Sequence, residues 1–229
     1  FWSSKVEAEY PDESANAVIR VSDLLRARRV EYDDSVGSRR ADRHGVTVGI
    51  DVAGSETGDE SVVRGRRGPR LLAQATTRLS DPEEIEDWLV GQVSATFAAQ
   101  SAQVDADGIG FGFVSALRRR CRGASVTAIR SSATPHDLVT YLNCRAEMWW
   151  QLRDRLRKAG DDQLDFSAMD DATAAQLLAV RRTPNAKGKI QIESKDELRK
   201  RLGRSPDLAD AVVYSFYEPP RARIRVLGA

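Results

Sequence analysis

The sequence contains little cysteine and little histidine. Two cysteines, Cys121 and Cys144, and two histidines occur among 229 residues. Two cysteines are too few for a disulfide framework or a cysteine-based zinc site. We therefore expect a chain that works in a reducing cytosol.

The sequence also lacks long apolar runs and a strong net charge. No run is long enough to span a bilayer, and no signal-peptide pattern opens the chain, so we expect no membrane partner. The net charge of +1 does not by itself indicate a nucleic-acid partner. Basic residues cluster at 64–67, 118–120 and 195–204, but a solvated surface is the simpler interpretation of any one cluster.

The residues that are present suit a globular protein with a real core, since 41% are hydrophobic and 30% are charged. Residues 1–45 have the character of a connector with one helix over 21–29. Short β-branched or alternating runs predict strands, and periodic runs predict helices between the later strands. Strands are expected at 46–52, 61–66, 70–76 and 125–129, and a further short strand is expected to end at 105. A hairpin is expected over 181–193. This order predicts an α/β fold, a mixed β-sheet flanked by helices on both faces with an auxiliary β-hairpin.

Acidic residues stand where two predicted strands end. Asp51 closes a buried strand, and Asp105 closes a second one. The carboxyl ends of strands are where ligands bind in open α/β sheets, and buried carboxylates are costly unless something compensates their charge. Asp210, near the start of the last helix, completes a set of hard oxygen ligands. Carboxylates without histidine or cysteine favour magnesium or manganese.

The last helix carries two acids three residues apart, Asp207 and Asp210, which share one helix face. The pattern predicts Ser205 as N-cap and Pro206 as the first helical residue, so that Asp207 suits the helix dipole. Asp210 is followed by an apolar run and needs a cation. We therefore expect Asp210 to be the ligand. We also expect Asp210→Asn to leave the metal-free protein as stable as the wild type, or more stable, because it removes repulsion from the other acids.

Four stretches of the sequence occur in a recognisable order. They are residues 48–61, with VGIDVA and GDES, residues 104–112 (VDADGIGFG), residues 141–149 (YLNCRAEMW), and residues 193–211, with ESKD and RSPDLADA. In this order they resemble the nuclease motifs of phage terminase large subunits. Residues 1–35, including EAEYP at 7–11, are similar to the segment that joins the ATPase of that family to its nuclease.

The resemblance implies a ribonuclease H-like nuclease domain over 46–220, preceded by a linker and the end of an ATPase region over 1–45 and followed by a tail over 221–229. It implies a metal-dependent endonuclease that cuts concatemeric double-stranded viral DNA for packaging, in the cytoplasm of the infected host cell. By motif, Asp51, Asp105 and Asp210 would be its catalytic carboxylates and metal ligands, with Asp207 a possible further ligand.

The chain begins without methionine and contains no GxxxxGK[ST] phosphate loop. We therefore expect an isolated nuclease domain taken from a longer chain. Its partners would be double-stranded DNA, the ATPase domain of the full-length chain, the portal and the small terminase subunit.

Two divalent ions, Mg²⁺ or Mn²⁺, would bind the scissile phosphate from both sides, about 3.5–4 Å apart. We expect Asp51 to bridge them, with Asp105 on one ion and Asp210 on the other. Lys195 would orient a water or contact phosphate, although a solvated lysine is an equally good interpretation. Basic side chains of the 181–204 segment would hold the DNA backbone; those predicted to do so are Arg181, Arg182, Lys187, Lys189, Lys195 and Arg204.

Two other classes of function stay open. A sugar-kinase-like or actin-like ATPase also has phosphate loops that follow a strand with Asp and Gly, as in DVAG at 51–54, but such enzymes need two domains of this kind. A third hypothesis is a non-catalytic DNA-binding or docking module, in which the acidic residues have no catalytic role. Metal-dependent nicking of a plasmid separates the nuclease from both.

Overall fold

A computed structural model of the chain describes residues 16–30, 44–53, 59–160 and 163–219. The elements, in chain order, are α1 Val21–Arg28, β1 Val46–Asp51, β2 Ser61–Arg67, β3 Arg70–Thr77, α2 Pro82–Gly91 with a π-turn over Gln92–Thr96, β4 Ser101–Asp105, α3 Gly110–Arg120, β5 Ser125–Ile129, α4 Cys144–Leu156, α5 Asp171–Ala179, β6 Arg182–Thr183, β7 Gln191–Ile192, α6 Lys195–Leu202 and α7 Asp207–Phe216. None of the described helices is long and apolar enough to cross a membrane.

The five long strands form one mixed sheet in the order β3-β2-β1-β4-β5. β1, β4 and β5 run parallel, whereas β2 pairs antiparallel with both β1 and β3. β6 and β7 form a separate antiparallel hairpin. The predicted α/β class, the mixed sheet and the auxiliary hairpin are confirmed.

The alternation of side chains along β1 separates the two faces of the sheet. Val46, Val48 and Ile50 belong to the apolar cluster that includes α2 and α3. Gly49 lies on the opposite face, directly under α7. A Cβ atom on Gly49 would lie 2.1 Å from the carbonyl oxygen of Ala211, so only glycine lets α7 approach the strand this closely.

The face of the sheet under α7 is covered by a second core. It joins α4, α5 and α7 around the buried rings of Trp149, Phe166 and Phe216. α1 contributes Leu24 and Ala27 to this core, and the amide of Phe166 donates to the carbonyl of Ala27. The described part of the predicted connector therefore packs with the rest of the molecule. Residues 1–15, 31–43 and 220–229, which include the predicted tail, lie outside the described residues, and the predicted domain boundaries stay predictions.

The ends of the last two helices follow from local signals. α6 begins with a capping box made by Ser194 and Glu197, and it ends at Gly203, which has a φ of 73°. α7 differs from the prediction, because Pro206 occupies the N-cap position and no side chain caps the helix. The prediction of Ser205 as N-cap is wrong, and Asp207 is the first helical residue instead of the second. Proline has no side-chain acceptor, so the free amides of this turn depend on other groups.

Candidate functional site

The two strand-end aspartates meet because β1 and β4 are parallel neighbours. Ile50 is in register with Val104, so the next residues, Asp51 and Asp105, lie side by side at the carboxyl edge. Because side chains alternate along a strand, both lie on the same face of the sheet as Gly49, which is the face covered by α7. They line a cleft of about 780 Å³ together with residues of α6 and the start of α7.

Lys195, the first residue of α6, lies at the point where three aspartates converge. Its Nζ is 3.2 Å from Asp51 Oδ2, 3.1 Å from Asp105 Oδ2 and 3.2 Å from Asp210 Oδ2. The predicted trio of carboxylates is therefore together in space. Lys195 contacts all three, so it is not a solvated surface lysine in this structure; its contact with a phosphate stays a prediction.

Asp210 is completely buried and held by groups from α4. Arg145 Nη1 donates to both of its carboxylate oxygens, at 2.8 and 3.0 Å, and Trp149 Nε1 donates at 3.2 Å. Burial by itself would raise the pKa of Asp210, but Arg145 and Lys195 outweigh it, and the net effect is a lowered pKa. Asp210 is therefore a stabilised anion, contrary to the expectation of an unbalanced acid that strains the fold.

Asp51 has the opposite electrostatic environment. Burial raises its pKa to about 8, Lys195 opposes this effect, and the neighbouring Asp210 and Asp105 add to it. The charged form of Asp51 is therefore disfavoured in the metal-free protein. Acids of one cluster whose pKa values are shifted in opposite directions are typical of functional sites.

Asp105 is oriented by α7. The hydroxyl of Tyr214 donates to Asp105 Oδ2 at 2.8 Å and lies 3.0 Å from Ser131 Oγ. Burial raises the pKa of Tyr214 well above its usual value, so the hydroxyl stays a donor. The other oxygen, Asp105 Oδ1, accepts from the amide of Asp107 at 3.0 Å. Both carboxylate oxygens of Asp105 are therefore held by hydrogen bonds.

Asp207 lies at the cleft wall, whereas Asp210 lies behind it. The Oδ2 of Asp207 accepts from the amide of Glu60 at 3.4 Å, and burial raises its pKa. Although the two acids are three residues apart on one helix, only Asp207 is in the lining of the cleft. Both stay candidates for metal ligands.

The predicted DNA-binding residues divide into two groups. Lys195 lines the cleft and contacts the three aspartates. The side chains of Arg181, Arg182, Lys187 and Arg204 are exposed, the first three on or beside the hairpin, and Lys189 Nζ donates to the carbonyl of Leu138 at 2.5 Å. Gln191 and Ile192 of β7 line the cleft, so the hairpin borders the place where a substrate would lie.

The residues that hold the aspartates had no predicted role. Arg145 and Trp149 were part of a recognised stretch, YLNCRAEMW, but had no assigned role. Tyr214 lies four residues after Asp210 on α7, a spacing that places both on one helix face. That spacing was the available signal for Tyr214; no local pattern identifies the partner of Arg145.

The donor atoms at this site suit a hard divalent cation, since they are carboxylate oxygens. Within the described ranges, no three acidic, histidine or cysteine side chains surround a common point as a finished ligand set. The Lys195 ammonium instead lies between the three aspartates. The three aspartates therefore suit a divalent ion, because their oxygens are of the right type and lie close together. Lys195 balances part of their negative charge in this structure.

Comparison with known proteins identifies the fold. No protein-family model and no curated protein matches the sequence. The nuclease domain of the large terminase subunit gp2 of bacterial virus Sf6 matches with a TM-score of 0.71 at 24% identity, over 89% of this chain and 100% of that one. A mutant of the same domain, solved with manganese and β-thujaplicinol, matches at 25% identity with a TM-score of 0.69 over the same shares.

A more distant match has the same architecture. The large terminase nuclease of thermophilic phage G20c, with bound magnesium, has a TM-score of 0.53 at 15% identity, over 76% of this chain and 82% of that one. The resemblance read from the four motifs is confirmed: this chain has the ribonuclease H-like fold of the nuclease domain of phage large terminase subunits.

Proposed function

We propose that this chain is a metal-dependent endonuclease that cuts concatemeric double-stranded viral DNA during genome packaging. The observation that carries the proposal is the convergence of Asp51, Asp105 and Asp210 on a single cationic atom, Lys195 Nζ. Three acids from two strands and a helix meet at the edge of the sheet where α/β proteins bind ligands.

The matched structures support a divalent metal as the cofactor of this fold. The related Sf6 domain has been solved with manganese and with calcium, and the G20c nuclease with magnesium. We propose that Asp51, Asp105 and Asp210 hold Mg²⁺ or Mn²⁺ in this chain, with Asp207 as a further candidate. When bound, two such ions would lower the pKa of a water and stabilise charge on the scissile phosphate.

The protein groups around the acids have distinct tasks. Arg145 and Trp149 keep Asp210 ionised and fixed in one orientation. Tyr214 holds Asp105 through its hydroxyl. Lys195 neutralises part of the carboxylate charge and lies where an oxygen of a phosphodiester could accept from it. Pre-orientation of this kind reduces the reorganisation that cleavage would otherwise need.

The DNA backbone would lie along the cleft and the bordering hairpin. The exposed basic side chains of Arg181, Arg182, Lys187 and Arg204 suit phosphate contacts, which are independent of sequence and weaken with salt. Lys189 would contribute once it leaves Leu138. In the full-length protein, the ATPase domain, the portal and the small terminase subunit would be partners, in the cytoplasm of the infected cell.

Cleavage of supercoiled plasmid tests the proposal. We expect nicking and linearisation with Mg²⁺ or Mn²⁺, no cleavage in excess chelator, and no cleavage by Asp51→Ala, with DNA binding retained. Undiminished cleavage in chelator would contradict the metal-dependent reading. Retention of DNA without cleavage under every metal condition would favour the docking module, and ATP hydrolysis by the chain would favour the ATPase.

A further inference from the structure

The cleft that would receive DNA has an acidic wall. Its described lining contains seven acidic and three basic residues, namely Asp51, Asp59, Asp105, Asp107, Asp196, Glu197 and Asp207, against Arg145, Lys195 and Arg199. A polyanion entering such a cleft is repelled unless cations face it directly.

Two of the three basic residues are already engaged. Arg145 is buried and binds both oxygens of Asp210, and Lys195 contacts three aspartates. Arg199 differs, because 48% of its side chain is exposed. Among the described residues of the cleft lining, it is the cation most accessible to an incoming phosphate.

Arg199 is positioned by the same helix that supplies Lys195. The two are four residues apart on α6, so their side chains share one helix face and are separated by about 6 Å along the axis. α6 is fixed at both ends, by the Ser194–Glu197 capping box and by Gly203. A phosphate held by Arg199 would therefore lie beside the carboxylate cluster, along the direction of the helix.

Arg199 has one acidic partner in the described structure, Asp59, which also lines the cleft. Its Nη1 is 3.1 Å from Asp59 Oδ2, and the side chain of Asp59 is 21% exposed. Asp59 has no other described hydrogen bond or ion pair. An ion pair that solvent reaches from both sides is weak and exchangeable. Asp59 and a DNA phosphate would compete for the same guanidinium group, because carboxylate and phosphate oxygens both accept hydrogen bonds from arginine.

We propose that Arg199 binds a DNA phosphate adjacent to the cleavage centre and that Asp59 is its intramolecular competitor, which DNA displaces on entering the cleft. This inference rests on the proposed nuclease function. It adds a substrate-binding residue to those predicted from the sequence, and it assigns an opposing role to an acid beside it. Removal of Arg199 weakens DNA binding, whereas removal of the Asp59 charge strengthens it.

The test measures duplex binding by fluorescence anisotropy in chelator, at several salt concentrations, for the wild type and three variants. Arg199→Gln is expected to raise the Kd about fivefold to tenfold at 0.1 M salt, and to reduce the salt slope by about one. Lys200→Gln is the matched control, because it removes the same charge from the next, exposed position of α6, outside the cleft lining. We expect less than a twofold change for it. Asp59→Asn is expected to lower the Kd by twofold or more.

Each alternative outcome overturns the inference. Equal weakening by Arg199→Gln and Lys200→Gln means that only overall charge matters, and weaker binding by Asp59→Asn means that Asp59 does not compete with DNA. Cleavage kinetics with magnesium form a separate readout: Arg199→Gln is expected to raise KM and leave kcat within about twofold. A wild type that binds duplex but never cleaves it refutes the proposed nuclease function, while the binding comparison still decides the role of Arg199.

Discussion

Replacing Asp210 by asparagine should strongly destabilise the protein even without metal. The carboxylate is 0% exposed and accepts from Arg145 and Trp149, with Lys195 at 3.2 Å. Asparagine keeps the shape and one acceptor oxygen but removes the negative charge. Arg145 then stays buried without its anion, and Lys195 loses one of its three acidic partners.

The magnitude follows from the burial of the pair. Breaking a buried ion pair by removal of one partner costs about 3–5 kcal/mol, and the acceptor oxygen that asparagine keeps reduces this toward about 3 kcal/mol. That is a large part of the total stability of a domain, which is about 5–15 kcal/mol. Asp207 provides the contrast. It lies at the helix start on the cleft wall, where burial disfavours its charged form and the helix dipole favours it, so Asp207→Asn should change the free energy of unfolding by less than about 1 kcal/mol.

Urea denaturation followed by circular dichroism, in chelator at neutral pH, measures both variants. We expect a lower midpoint for Asp210→Asn with an unchanged m-value, and a small shift for Asp207→Asn. An Asp210→Asn protein as stable as the wild type, or more stable, would refute this reasoning. It would restore the sequence-based expectation that repulsion among the acids dominates over the contacts from Arg145 and Lys195.

Two further predictions concern the other aspartates. The pKa of Asp51 is raised to about 8 in the folded protein, compared with about 3.9 in the unfolded chain. Between these two pH values the folded protein binds one proton more than the unfolded chain does. In chelator, the free energy of unfolding should therefore fall from about pH 5 to pH 8, by up to about 1.4 kcal/mol per pH unit. Denaturation at several pH values checks this, and Asp51→Asn should flatten the profile; an equally steep slope in that variant would assign it to another group. Tyr214→Phe removes the donor to Asp105, so it should cost about 1–2 kcal/mol and raise the Mg²⁺ concentration needed for half-maximal cleavage. Ser215→Ala is the control, because among the described residues its buried hydroxyl bonds only within α7. A similar change in metal requirement for both variants would count against the role of Tyr214.

Local sequence patterns were sufficient for much of the fold. The β-branched runs around Asp51 and Asp105 predicted two buried strands that end in acids, and the parallel pairing of those strands puts the two acids side by side. The run from Arg181 to Glu193 predicted the hairpin, which the structure confirms. These features depend on backbone preferences and side-chain alternation over a few residues, and such preferences can be read from a single segment.

Other features depend on contacts between segments that are far apart in the chain. Lys195 meets Asp51 across 144 residues, and Arg145 meets Asp210 across 65; no local spacing encodes either pair. The start of α7 at Asp207 was also missed, because the prediction relied on local capping preferences alone. The DNA-binding role of the hairpin residues stays a prediction.

The sequence by itself therefore determined the α/β class, the strand ends that carry Asp51 and Asp105, and the order of motifs that resembles terminase nucleases. Only the tertiary structure decided the electrostatic state of the site. The charge of a buried carboxylate depends on which cations the packing of α4 and α6 against the sheet brings within about 3 Å, and Coulomb energies change steeply over that distance in a low-dielectric interior. The charged form is thus favoured at Asp210 and disfavoured at Asp51, although both are aspartates next to short apolar runs.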